Sequence, residues 1–407
     1  MSERLSQQQP THSHKSNYNY TPLIAKLIET CYQIKVIKLR DLAKYLGISI
    51  SYTYHLIKKL YKDLFFKIWA LPHYERVGLR HLRCFLQVDS AAYRQTLLEL
   101  LPQHDFVIYV FQYYGSLGKG VYCEFLVPDG KGDELASFLE TLQNYGIIDS
   151  HAIRPIISLK NIVMGFKWYD FSTNSWRFDW QALLKEILSS INSHECPQFY
   201  ELESQALSTK FDFYDLFILH HLEQEVFTPL APLALKLRTS PQNLSYHFRN
   251  HVLGNELIRT TRPWWYPFLF EESSYYVLEI KFESHKALNC FLKSLHRKPI
   301  AYSCTCYEQA TYPSVILSGV LPYDELFSFT NLLDLLRDYG IVKNYDYYIL
   351  DLYGSKGKAL PYHCYDEVLG WRFELEPCLE GILKATRKVQ ERRAKLASAA
   401  DSKIEPV

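Results

Sequence analysis

The chain has no apolar run long enough to cross a bilayer. It also has no cysteine pair at metal-binding spacing and no glycine-rich loop of the dinucleotide or phosphate-cradling type. Each absence removes a class of function. Glycine is scarce, 16 in 407 residues, and the 9 cysteines include one close couple, Cys304-Thr305-Cys306. Two thiols on one strand face do not make a zinc site, so buried free thiols are expected, with no metal and no cofactor. The segment Met1 to Asn19 is rich in Ser, Gln and His and lacks the apolar core of a signal peptide. Cytoplasmic location without membrane association is the expectation. A formal charge of +1 offers no global attraction for nucleic acid, so any basic footprint must be local.

What the chain has in plenty is aromatic residues, 32 Tyr and 23 Phe, and a repetition of itself. Tyr145-Gly146-Ile147 returns as Tyr339-Gly340-Ile341, Trp176-Arg177-Phe178 as Trp371-Arg372-Phe373, and Leu42-Ala43 as Leu233-Ala234. The spacing stays at roughly 191 to 195 residues, too long for a solenoid repeat, and describes a duplicated pair of domains. With nearly half the residues apolar, each half can bury its own core.

In the first half, Thr21-Pro22 suits a cap and first turn, and Leu23, Leu27, Ile28 and Cys31 follow at helical spacing. A second short helix, Leu39 to Leu46, ends at Gly47, which tolerates the left-handed turn conformation. Ser49 caps a third helix with Thr53, Leu56, Ile57 and Leu60 on its buried stripe. This is a helix-turn-helix, and Leu64 to Leu71 reads as the strand of a wing. Then the period changes. Strands at Leu82 to Asp89, Asp105 to Tyr113, Gly120 to Val127 and Ile147 to Ile156 alternate with helices at Ala91 to Leu101 and Asp133 to Tyr145. The order βαββαβ is ferredoxin-like and leaves one sheet face bare, which a second copy within the chain can cover.

The second half restarts at Asp212, with helices to about Glu223 and from Pro232 to Leu237, a third opened by Ser240-Pro241, and a wing at Leu257 to Phe270. Tyr54-His55 and Tyr246-His247 mimic a repeat. Aligning the caps Ser49 and Ser240 places Ile57 on Phe248 and Thr53 on Leu244, which keeps the buried stripe in register. A second βαββαβ runs from Tyr275 to Leu352.

Leu42-Ala43, Leu46-Gly47-Ile48-Ser49, Ile57 and Leu60, then Val77-Gly78-Leu79 and βαββαβ, resemble the leucine-responsive regulatory (Lrp/AsnC) family of prokaryotic transcription regulators. The resemblance covers Thr21 to Ile156. It implies an α+β fold, two tandem copies of a winged helix-turn-helix plus ferredoxin-like domain forming an intrachain pseudo-dimer. The domain boundaries expected are a disordered tail over 1–20, winged helices over 21–77 and 208–272, and ferredoxin-like domains over 78–157 and 273–353. Extensions follow over 158–207, with the linker, and 354–385, and a basic C-terminal tail covers 386–407. The turns that would line an amino-acid pocket in the family, Tyr114 to Gly120 and Gln309 to Pro313, do not copy its Gly-Asp pattern, so no effector ligand is assigned.

Local charge supports a DNA-binding reading. Between Lys35 and Lys67 lie eight lysines and arginines against Asp41 and Asp63. The solvent side of the third helix, Ser51, Tyr52, Tyr54, His55 and Lys59, would reach base edges in a major groove, while Lys38, Arg40, Lys44 and Lys58 would meet phosphates. The second head offers Gln242, Asn243, Ser245, Tyr246 and Arg249 on its third helix, with Arg259 and Arg262 in its wing. Asn and Gln suit adenine, and Arg suits guanine. The expectation is a sequence-specific, non-enzymatic transcription regulator that binds double-stranded DNA through two non-identical heads, with a homodimer of chains open. An architectural DNA-binding protein is one alternative. The other is an enzyme similar to sirohaem decarboxylases, which share the two-domain fold, with His73, Arg80, His81 and Arg83 as candidates.

Overall fold

The protein is described here from a computed structural model, which covers residues 13–401 apart from 17, 36–37, 65, 157, 161–164, 194–208, 270, 299–302 and 309–312. Most of the expected turn Gln309 to Pro313, the linker 194–207 and the extreme termini lie outside the described residues.

A short strand β1 (Ser13–Lys15) precedes the first head, which contains α1 (Pro22–Gln33), α2 (Leu39–Leu46) and α3 (Ile50–Leu64). The local signals act as read. Thr21 Oγ1 accepts from the Ile24 amide at 3.3 Å, Gly47 adopts φ 73°, and Ser49 Oγ accepts from the Tyr52 amide at 3.1 Å. Thr53, Leu56 and Leu60 face inward. Strand β2 (Lys67–Pro72) leads into β3 (Leu79–Gln87), α4 (Ala91–Leu100), β4 (Val107–Gly115), β5 (Gly118–Pro128), α5 (Gly132–Asn144) and β6 (Ser150–Pro155). The first extension holds β7 (Ser158–Lys160), β8 (Tyr169–Asp170), β9 (Ser175–Arg177) and α6 (Trp180–Asn192). β1, expected within a disordered tail, instead pairs with β9.

The second head comprises α7 (Phe213–Gln224), α8 (Leu230–Lys236), α9 (Pro241–Tyr246) and a π-helical continuation, His247–Leu253. Strand β10 (Ile258–Trp264) is followed by β11 (Ser273–Phe282), α10 (His285–Arg297), β12 (Ser303–Glu308), β13 (Pro313–Pro322), α11 (Tyr323–Asp338) and β14 (Val342–Gly357). β15 (Tyr365–Asp366), β16 (Gly370–Trp371) and α12 (Glu376–Asp401) complete the chain; α12 runs on through what was expected to be a basic tail.

The two ferredoxin-like units join in one nine-stranded sheet of order β6-β3-β5-β4-β14-β11-β13-β12-β7. β6 and β7 occupy opposite edges although two residues separate them, so the sheet curls until its edges approach one another. Curling brings the bare faces together: Phe85 lies 4.4 Å from Tyr348 between ring centroids, and Arg154 of β6 pairs with the buried Glu279 of β11 at 3.0 Å. The junction between β4 and β14 needs Gly115, where a methyl group would collide with the Tyr347 carbonyl oxygen.

The wings depart from expectation. β2 and β10 do not project as separate wings; they pair with each other, Lys67 opposite Trp264 and Ala70 opposite Thr261. Each strand finds in the other half the hydrogen-bond partner that an edge strand lacks. The two heads are therefore tied together over the mouth of the curled sheet.

Candidate functional site

On the first head the sequence-selected side chains stay in solvent. Ser51, Tyr52, Tyr54, His55, Lys58 and Lys59 are all exposed on α3, and Lys38, Arg40 and Lys44 are exposed at α2. Tyr52 and Tyr54, 52% and 45% exposed, are large aromatics with no core to fill, and Lys58 Nζ sits 4.8 Å from the Tyr54 ring centroid. Two neighbouring cations serve the fold instead. Lys35 donates to the Ile258 carbonyl of β10, and Lys67 lies within the paired strands.

On the second head Gln242, Tyr246 and Arg249 are exposed. Asn243 and Ser245 are half-buried, and Asn243 Nδ2 donates to Thr239 Oγ1 at 3.1 Å. The turn before α9 holds Arg238 at φ 52°, the left-handed position that Gly47 fills in the first head. Two residues expected at DNA are elsewhere, because β10 pairs with β2 over the curled sheet instead of standing out as a wing. Arg259 binds Glu75 Oε2 at 2.8 Å and His73 Nδ1 at 3.2 Å, and Arg262 lines a cavity under the paired strands.

That cavity, about 330 Å³, lies between the roof formed by β2 and β10 and the curled sheet. Aromatic rings form its walls. Trp69 and Trp264 stack across the roof at 6.4 Å, and Phe111 stacks on Tyr275 at 6.4 Å. The floor is polar: Glu124 of β5 accepts from His81 Nε2 at 2.7 Å and from the Tyr122 hydroxyl, and is ion-paired with Arg83, whose Nε lies at 3.3 Å. Burial alone would raise the Glu124 carboxyl, but Arg83 and His81 win and hold it at about 2. At the far side Glu223 of α7 accepts the Tyr74 hydroxyl and the Leu360 amide, the latter at 2.7 Å. Among the described residues no cation faces it closely, and burial pushes it up to about 7. Burial also brings Arg262 down to about 10 and raises Tyr74, Tyr109 and Tyr275.

The four sequence candidates near the sheet separate. His81 and Arg83 share one face of β3 and enter the cavity, whereas Arg80 points outward to Asp129 at 2.9 Å. His73 is held beside Arg259 and Arg76, with burial and those cations bringing it down to about 3. Sequence reading missed Tyr74, Tyr122, Glu124, Glu223 and Tyr275, because the sheet and α7 assemble them from both halves. The repeat register offers the missing signal. β3 and β11 keep a spacing of 194 residues, Leu79 opposite Pro128 and Ser273 opposite Pro322. Tyr275 thus replaces His81, Val277 replaces Arg83 and Ser318 replaces Glu124. Among the described residues the carboxylate–guanidinium floor belongs to the first half.

No known sequence family matches the chain, and no curated protein matches it. Among solved structures, siroheme decarboxylase NirDL aligns over 90% of this chain and 98% of its own, at 11% identity and a TM-score of 0.48. An AsnC family transcriptional regulator from Agrobacterium tumefaciens aligns over 34% of this chain and 91% of its own, at 15% identity and a TM-score of 0.26. AsnC of E. coli aligns over 36% of this chain and 97% of its own, at 17% identity and a TM-score of 0.26. TM-scores below 0.5 assign no activity. The expectation of a non-enzyme is nevertheless corrected, since the neighbour spanning nine-tenths of the chain is an enzyme and the fold gives no ground for excluding catalysis. Among the described residues no helix is long and apolar enough to cross a membrane. The protein has an α+β fold, built as a tandem pair of helical heads and ferredoxin-like units within one chain.

Proposed function

We propose that the protein is a sequence-specific DNA-binding regulator whose two unlike heads are joined by the β2–β10 pair above a small-ligand cavity. The observation that carries this reading is the solvent face of α3, where Ser51, Tyr52, Tyr54, His55, Lys58 and Lys59 stand exposed with no acidic residue among them. A helix held in a protein interface or a core would bury its aromatics; this one offers hydrogen-bonding and cationic groups at the spacing a major groove accepts. Gln242, Tyr246 and Arg249 give the second head a different chemistry, so the preferred site is asymmetric. Selection of bound duplexes from a random library tests this. The proposal expects one enriched asymmetric sequence, with Tyr54→Ala/His55→Ala relaxing the preference in one half alone. Equal recovery of all sequences would reduce the protein to architectural binding, and no recovery would end the reading.

The cavity supports control of the heads by a ligand, because its roof is the pair of strands from which both heads hang. At about 330 Å³ it lies near the lower end of ligand-pocket sizes, ~300–1,000 Å³.

A catalytic reading has one observation in its favour: the Glu223 carboxyl, raised to about 7 by burial, faces the Glu124–Arg83 pair and His81 across the same space. A carboxyl that titrates near neutrality is suited to proton transfer. Sirohaem, as a tetrapyrrole, would need β2 and β10 to part before it entered. Incubation with sirohaem and measurement of released carbon dioxide decides this reading.

A further inference from the structure

Behind the reading face of the second head, four side chains converge that neither the DNA surface nor the cavity uses. Asp212 caps α7, Asp215 stands three residues on, and His247 and His251 lie one turn apart in the π-helical segment. His247 Nδ1 is 3.1 Å from Asp215 Oδ1 and 3.3 Å from Asp212 Oδ2. His251 Nδ1 is 3.1 Å from Asp215 Oδ2 and 3.9 Å from Asp212 Oδ2. One ligand atom from each residue lies within 4.8 Å of all the others.

The carboxylates are held in place. Asp212 Oδ1 accepts the Tyr214 and Asp215 amides, and Asp215 Oδ2 accepts the Asp212 amide, leaving Asp212 Oδ2 and Asp215 Oδ1 turned toward the imidazoles. The Asp215 side chain is fully buried and that of His247 is 11% exposed.

The repeat shows that the fold does not require these groups. The caps Thr21 and Asp212, and Ser49 and Ser240, are each 191 residues apart. At that spacing Asp215 replaces Ile24, His247 replaces Leu56 and His251 replaces Leu60, all three buried in the first head. Where the duplicate buries aliphatics, carboxylates and imidazoles are tolerated only when paired, and here they converge on one another. The backbone differs at the same place. α3 runs as regular α-helix to Leu64, whereas the second head widens into a π-turn from His247, a distortion frequent at functional sites.

We propose that Asp212, Asp215, His247 and His251 form a site for a divalent transition-metal ion, with zinc as the ion that fits best. Two imidazole nitrogens and two carboxylate oxygens suit a borderline ion, while Mg²⁺ and Ca²⁺ prefer oxygen alone. Tetrahedral bonds of about 2.0–2.1 Å place ligand atoms roughly 3.3 Å apart, and the observed separations of 3.1, 3.3 and 3.9 Å bracket that value. The ion ties the start of α7 to the segment presenting Tyr246 and Arg249, so metal occupancy sets the rigidity of the second head. This regulatory part rests on the DNA-binding reading; the metal site does not.

The test uses the full chain, stripped with chelator and dialysed against ZnSO4. One zinc per chain held at micromolar free concentration, with a rise in Tm, is expected. Asp215→Ile/His247→Leu/His251→Leu, which copies the core of the first head, should fold and lose both effects. The milder His251→Ala, at the most exposed of the two imidazoles, should weaken zinc binding at least tenfold without unfolding. No zinc retained by the wild-type chain, or equal retention by the triple variant, overturns the site. Zinc bound at this site with unchanged affinity for duplex DNA overturns the regulatory role alone. Absence of DNA binding with or without zinc would count against the reading of the heads and leave the zinc result standing.

Discussion

Replacing Glu223 by glutamine tests the electrostatics of the cavity. The Glu223 carboxyl is raised from an ordinary 4.5 to about 7, chiefly by burial. The folded state therefore holds this proton more tightly than the unfolded state. Stability from this group is greatest below pH 4.5, falls as pH rises from 4.5 to 7, and is flat above. At ~1.36 kcal/mol per unit the fall amounts to about 3 kcal/mol. Glutamine does not ionise, and its carbonyl oxygen can still accept from Tyr74 or from the Leu360 amide. Urea denaturation of both proteins at pH 4.5, 6 and 8 should show the variant gaining on the wild type by about 3 kcal/mol across the range. Glu124 does not blur the comparison, because its carboxyl at about 2 affects stability only below pH 4.5. Curves that stay parallel would refute the placement of Glu223 in a dry, cation-poor wall.

Three further substitutions follow from the geometry. Gly115→Ala drives a methyl group into the Tyr347 carbonyl at the β4–β14 junction, backbone against backbone, and should cost about 3 kcal/mol in urea denaturation. Arg238→Gly relieves a side-chain-bearing residue of the left-handed conformation and should raise stability by about 1 kcal/mol, measured the same way. Arg83→Met leaves the buried Glu124 carboxylate without its guanidinium partner, at a cost of about 3 kcal/mol at pH 7. That loss should shrink as the pH falls below 4.5 toward 2, where the wild-type Glu124 carboxyl takes up its proton.

Local signals in the sequence act over a few residues, and these are the features that could be read. The Thr21, Ser49 and Ser240 caps, Gly47 and the alternating strands of both βαββαβ units lie where their chemistry puts them. Long-range pairing was not legible. β2 and β10 each carry the pattern of a wing strand, and nothing within either shows that its partner lies in the other half. Arg259 and Arg262 were misplaced for that reason, since the same basic residues suit a groove or an internal strand. Glu223 was invisible for a related reason: on its helix it is one more acidic residue, and only the approach of Tyr74 and Leu360 makes it a cavity wall. The Asp212–His251 cluster spans segments more than thirty residues apart, beyond any ligand-spacing motif. The duplication held information on both sites, because a polar residue opposite a buried aliphatic in the other copy marks a position the fold leaves free.

The most direct test of the account is a footprint of the full chain on its selected duplex, made with wild type, Lys58→Ala/Lys59→Ala and Arg249→Ala. Two protected half-sites of different sequence are predicted. The lysine variant should lose protection over one and the arginine variant over the other, with the salt slope of the lysine variant reduced by about 1 for the lost Lys58 phosphate contact. A single palindromic footprint, or one unchanged by either variant, would contradict the claim that one chain carries two unlike reading heads.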